Sequence, residues 1–76
     1  MASVHVALDN EPVARNIKRI IKERGLKQYV IAQGAGYSAV QMSDMINGRK
    51  VIKPRDIVAL AEALEVDAGE LFATGE

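Results

Sequence analysis

The chain has no cysteine, so disulfides and thiolate metal sites are excluded, a composition suited to a reducing cytosol. Its one histidine, His5, has no partner cluster. Nothing in the sequence assembles a histidine, a carboxylate and a nucleophile, and the chain is short for a deep pocket, so an enzyme is not expected. Neither is a metal or a cofactor. No apolar run approaches the ~20 residues needed to span a membrane. The N-terminus lacks the basic, apolar, small-residue order of a signal peptide. Net charge is missing as well, with ten basic residues against ten acidic ones. What remains is 76 residues, 49% hydrophobic and 26% charged, which fits one soluble domain close to the smallest size that sustains its own core.

The zero sum conceals an uneven distribution. Residues 12–55 carry ten cations against Glu23 and Asp44, a net of +8. Residues 56–76 carry six acids and no base, and Asp9 and Glu11 add two more negative charges. A fold that keeps these regions apart presents one positive face. The competing explanation is a set of solvated helix faces, since lysine and arginine on an amphipathic helix usually do no more than solvate it.

Residues 1–8 alternate Val4, Val6 and Leu8 with Ser3, His5 and Ala7, a period-2 pattern with no second strand to pair with. They form either a frayed arm or an edge that pairs with another chain. The domain proper is expected over 9–76. Asp9 or Asn10 is placed to cap a first helix, with Glu11 and Pro12 in its opening turn. Val13, Ile17, Ile20 and Ile21 give that helix a buried stripe, and Gly25 stops it. The stretch 26–50 then reads as two short helices around a tight turn. Gly36 supplies the turn. Ser38 with Gln41 has capping-box spacing, and Tyr37 with Met42 is placed as a hydrophobic staple. Met42, Met45 and Ile46 share one face of the second helix, opposite Val40, Ser43, Asp44 and Asn47. Asn47-Gly48 ends it like a left-handed C-terminal cap. Gly34-Ala35-Gly36 lacks the preceding strand and the glycine spacing of a phosphate loop. A basic loop follows, then Pro54 in the first turn of a fourth helix whose buried face is Ile57, Leu60, Ala61 and Leu64. Val66, Asp67, Glu70 and Leu71 form a further cap-and-staple set for a final short helix.

Leu26, Gln28, Ile31-Ala32, Gly36, Ser38, Met42, Met45 and Asn47-Gly48 together resemble the helix-turn-helix of the Cro/phage-repressor (lambda-repressor-like) DNA-binding domains. Leu60-Ala61-Glu62-Ala63-Leu64-Glu65-Val66 and Glu70-Leu71-Phe72 resemble the last two helices of that family. The resemblance covers about residues 11–72. It implies an all-α, compact five-helix domain in which helices two and three form the helix-turn-helix. It also implies sequence-specific binding to double-stranded DNA through the major groove, as a small cytoplasmic transcriptional repressor or regulator of bacterial or phage type. The expected active form is a homodimer on a palindromic operator, its reading helices about 34 Å apart.

Position by position, the resemblance assigns base reading to Ala39, Val40 and Asp44, with Gln41 and Ser43 beside them. Backbone contact falls to Gln28, Ser38, Asn47, Arg49 and Lys50. Val40 offers only apolar contact, for instance to a thymine methyl, and Asp44 accepts from a cytosine amino group or pairs with Arg49. Gln41 either reads adenine or serves the cap. Lys27 and Lys53 stand at cap positions where serine or threonine is more stabilising. Ile46, commonly glutamate in the family, is read as added core. A dimer would use the arm or the last two helices, with Val58 or Phe72 exposed. An alternative function is a protein-interaction module of antitoxin or anti-repressor type, which would account for the neutral charge and the sparse base-reading set. Gln28 kept together with Asn47, Arg49 and Lys50 favours DNA, because an interaction module has no need of that set.

Overall fold

The computed structural model describes residues 10–74. Four α-helices follow in order: α1 Val13–Arg24, α2 Gln28–Ala35, α3 Ala39–Ile46 and α4 Pro54–Leu64. A 3-10 turn, Ala68–Phe72, comes last. The alternating segment 1–8 and the cap assigned to Asp9 lie outside the described residues.

The α1 helix exists because its apolar residues recur on one stripe. Val13, Ala14, Ile17 and Ile20 are buried, and Ile21 packs at the edge. Arg15 and Arg19 pair along the solvent face with Glu11 and Glu23 at 3.5 and 3.1 Å. Gly25, at φ 65°, reverses the chain, so that Leu26 N–H reaches back to the Ile21 carbonyl at 2.9 Å. At its far end, Arg24 donates to the Leu64 carbonyl of α4 at 2.8 Å.

Two expectations need correction. Asn10 does not cap α1. Pro12 takes the N-cap position without a side-chain cap, and Asn16 N–H makes the first bond of the helix, to the Pro12 carbonyl. The Asn10 side chain is spent elsewhere, on the loop between α3 and α4. The final helix is not an α-helix but a five-residue 3-10 turn, closed by Glu70 N–H on the Asp67 carbonyl at 2.9 Å, and the Asp67 side chain caps nothing. A five-residue segment is too short to propagate an α-helix, and the tighter i→i+3 bonding suits such a turn. Buried Asn16 of α1 donates from Nδ2 to Leu71 O and Ala73 O, both at 2.8 Å, which ties the end of the turn to α1.

The most extensive helix–helix packing is α2 on α4, while α1 packs chiefly against the terminal turn and α3. Leu60, Ala61 and Leu64 of α4, Ile31 and Ala32 of α2, and Leu71 of the turn close one core with Met42, Met45 and Ile46 of α3. Ile46 is therefore core, as its position suggested. The α2 helix backs closely onto α4 at Gly34, where an added Cβ would stand at an ordinary 3.6 Å from the Ala63 Cβ. Val58 and Phe72 are exposed. Among the described residues, no helix is long and apolar enough to cross a membrane.

Lys27 does occupy the N-cap position of α2, in extended backbone and with no side-chain cap. Lys27→Thr is expected to raise the unfolding free energy by about 0.5–1 kcal/mol. Denaturant titration of both proteins checks this, and a lower midpoint for the mutant would show that the lysine already does something better.

Candidate nucleic-acid interface

The α3 helix is eight residues long, below the length that is stable in isolation, and three features hold it. Gly36, at φ 89°, makes the turn from α2. Ser38 then closes a full capping box: Gln41 N–H donates to Ser38 Oγ at 3.1 Å, and Ser38 N–H to Gln41 Oε1 at 2.8 Å. Met42, Met45 and Ile46 anchor the helix in the core. The opposite face stays open. Ala39 and Gln41 are exposed, and Val40 is 70% exposed, the most open large apolar residue described. Gln41 commits its oxygen to the cap but keeps its NH2 for a ligand. Asn47 Nδ2 donates to Ser43 Oγ at 3.2 Å, which links two more of the expected contact residues.

The exit from α3 is organised by Asp44. Its carbonyl accepts from Arg49 N–H at 2.8 Å and Lys50 N–H at 3.1 Å, and its Oδ1 accepts from Arg49 Nε at 3.0 Å. The left-handed residue of this turn is Gly48, at φ 81°; Asn47, at φ −101°, is not left-handed. Asp44 and Arg49, assigned separately to bases and backbone, are thus one ion pair.

A cleft of about 370 Å³ opens beside α3, lined by Tyr37, Lys50, Lys53, Arg55, Asp56 and Ala59. Tyr37 directly precedes the α3 cap, and Lys50 follows the helix. The first turn of α4 forms another wall and brings the positive end of that helix. Lys50, Lys53 and Arg55 have no carboxylate within ion-pair distance among the described residues. Such a cleft suits an anionic oxygen. Lys53 and Arg55 were not among the contact residues read from the sequence. The available signal was Pro54: it starts a helix, so the cations on either side of it must sit at that helix's positive end.

Asp56 is the acid of this cleft. Its Oδ1 accepts from the Tyr37 hydroxyl in a short hydrogen bond, and its Oδ2 accepts from Lys53 N–H at 2.9 Å. Burial pulls the Asp56 carboxyl upward. The Tyr37 and Lys53 donors, with Arg55 and Lys50 nearby, outweigh it and hold the group below its ordinary value. Burial, then the hydrogen bond to Asp56 and its negative charge, push the Tyr37 hydroxyl up to about 12. The pair ties the turn before α3 to the start of α4.

Of the residues read as contacts, Ala39, Val40, Gln41, Asn47, Arg49 and Lys50 are exposed around α3 and its exit. Ser43, Asp44 and Gln28 are half-buried, Gln28 at the start of α2, and Ser38 is exposed but committed to the cap. Two helices joined by a glycine turn, the second anchored by one face and open on the other, define a helix-turn-helix module. The profile of the helix-turn-helix domain family matches residues 13–73, and the chain belongs to that family. No curated protein and no solved structure matches it significantly.

The Tyr37–Asp56 pair sets a pH dependence in both directions. The folded Asp56 value is depressed, so its contribution to stability is complete at neutral pH and is lost as pH falls through that value. The Tyr37 value is raised, so its contribution is complete below the ordinary tyrosine range and is lost as pH rises through about 12. In a Tyr29→Phe background, tyrosinate absorbance reports Tyr37 alone. Its midpoint is expected near 12, falling only part of the way back when Asp56→Asn is added, because burial, the largest cause, remains. An ordinary midpoint without that mutation would refute the hydrogen bond.

Proposed function

We propose that this protein is a sequence-specific double-stranded DNA-binding regulator of the Cro/phage-repressor type, acting in the cytoplasm. The observation that carries the reading is α3: one face is buried without remainder, the other is open, and three cations against one carboxylate line the cleft at its side. In this reading α3 enters the major groove and α2 crosses the backbone. Val40 makes apolar contact with a base, and Gln41, Ala39 and Ser43 lie on the same approach. Asp44 keeps Oδ2 free to accept from a cytosine amino group, while Arg49 offsets its repulsion toward phosphate. Gln28, Ser38, Asn47, Arg49 and Lys50 position the duplex, joined by Lys53 and Arg55. Repression would follow from occupying an operator against polymerase.

The exposed Val58 and Phe72 supply the surface for a homodimer on a palindromic site. Tyr29 and Val30, about half exposed on α2, favour a second reading as a protein-interaction module. Binding of random and selected duplexes, run beside a sizing measurement, separates the two: an interaction module binds neither duplex.

Replacing Lys50 and Lys53 together by alanine is expected to weaken binding similarly on all sequences. The slope of log affinity against log salt should fall by about 1–2 units. Equal binding of mutant and wild type at every salt concentration removes the phosphate assignment.

Asp44→Asn is expected to bind random DNA more tightly and to lose about 1–3 kcal/mol of preference at one base pair. The exposed ion pair it breaks is worth only a few tenths of a kcal/mol in stability. Competition between operator and scrambled duplexes checks this, and an unchanged preference would confine Asp44 to holding the turn.

A further inference from the structure

Asn10 lies outside the helix-turn-helix, yet it is 1% exposed and its side chain makes three hydrogen bonds, to the end of α3 and the loop that follows. Its Nδ2 donates to Met45 O at 2.7 Å and to Lys50 O at 2.8 Å, and its Oδ1 accepts from Ile52 N–H at 2.8 Å. Both amide hydrogens are thereby used. The Met45 carbonyl belongs to the last turn of α3, where carbonyls have no partner within the helix. The other two groups flank Val51, so one side chain grips the basic loop on both sides and fastens it to the end of the reading helix. Asp44 holds the first half of the same exit, through Arg49 and Lys50 N–H. Asn10 holds the second half.

We infer that Asn10 is a positioning residue for DNA binding: it latches the loop 50–52 so that Lys50 is presented beside α3 before the duplex arrives. The inference rests on the DNA-binding reading above. Its physical content is preorganisation. Without the latch, the loop retains Ile52 as a buried anchor, so the fold keeps its core contact at that point. Lys50 O and Ile52 N–H then turn to water, and the loop orders only when it meets phosphate. The Asn10 amide never touches the nucleic acid; it acts through the backbone that carries Lys50.

The test is a double-mutant cycle on duplex DNA, with each protein shown folded by circular dichroism at the temperature used. Asn10→Ala is expected to weaken binding by roughly 3- to 10-fold. Lys50→Ala should lower the salt slope by about 0.9 in the wild type and by less than half that in the Asn10→Ala background. Gln28→Ala, at the start of α2 and sharing no hydrogen bond with Asn10, should cost the same in both. A role that is only structural would loosen the interface generally and couple Asn10 to Gln28 as strongly as to Lys50, which would overturn the inference. So would full additivity with Lys50. If Asn10→Ala does not fold, Asn10→Ser, which stays neutral beside the Met45 and Lys50 carbonyls and is too short to bridge them, takes its place in the cycle.

Amide exchange in the unaltered protein decides the matter if neither variant folds. Ile52 N–H should exchange only with global unfolding, and exchange at the rate of an open loop would overturn the latch. Wild-type protein that binds no duplex at all would instead refute the DNA-binding reading, leaving the exchange result to judge the latch alone.

Discussion

The module depends on how completely α3 buries one face. An eight-residue helix with a single capping box cannot persist by local propensity, and α2 is no longer. Met42 and Met45, fully buried, and Ile46 beside them supply what the backbone cannot. Three large apolar side chains at this depth contribute roughly 1.5–3 kcal/mol each, which exceeds anything a surface contact on the open face could return. On the open face, Ala39 and Val40 carry no such anchoring duty, whereas Gln41 and Asp44 serve the two ends of the helix. Ala39 and Val40 can be whatever a ligand requires.

Around that anchor, polar side chains do the fastening. Two buried asparagines, Asn10 and Asn16, each give both amide hydrogens to backbone carbonyls distant in sequence. The first secures the exit of α3 and the second the terminal turn. The Tyr37–Asp56 pair secures the approach to α3. No buried side-chain polar atom among the described residues is left without a partner. In a chain this small, where the apolar core is modest, satisfied polar links of this kind set the relative placement of helices that hydrophobic contact alone would leave loose.

Electrostatics follows the same geometry. Glu11, Glu23 and Asp44 each answer one arginine, so the basic excess of the first two thirds is partly spent within the fold. Of the cations outside those pairs, Lys50, Lys53 and Arg55 gather around the positive end of α4, while Lys18, Lys22, Arg24 and Lys27 lie on α1 and the turn that follows it. The net charge of zero is therefore a poor guide to what the surface can bind.

Periodicity and turn chemistry made most of the helices legible. The α1 stripe, the glycine stops at Gly25 and Gly36, the Ser38–Gln41 box and the proline start of α4 are local patterns, and local patterns survive folding. The same holds for Lys27 and Lys53 as cap positions. Asn10, Asn16 and the cleft were not legible, because each depends on groups 19 to 57 residues apart in sequence. An asparagine before a helix reads as a cap on local grounds. Only the packed loop reveals that its amide is already taken. Asp67 and Glu70 likewise have capping spacing, but the Asp67 side chain caps nothing and the five-residue segment stays 3-10. The sequence by itself determined which segments are helical and which face of each is apolar. Tertiary structure alone decided where Asn10, Asn16 and Asp56 spend their side chains, because a hydrogen bond between residues far apart in sequence is settled by proximity in space, whereas only local links such as Ser38–Gln41 follow from spacing.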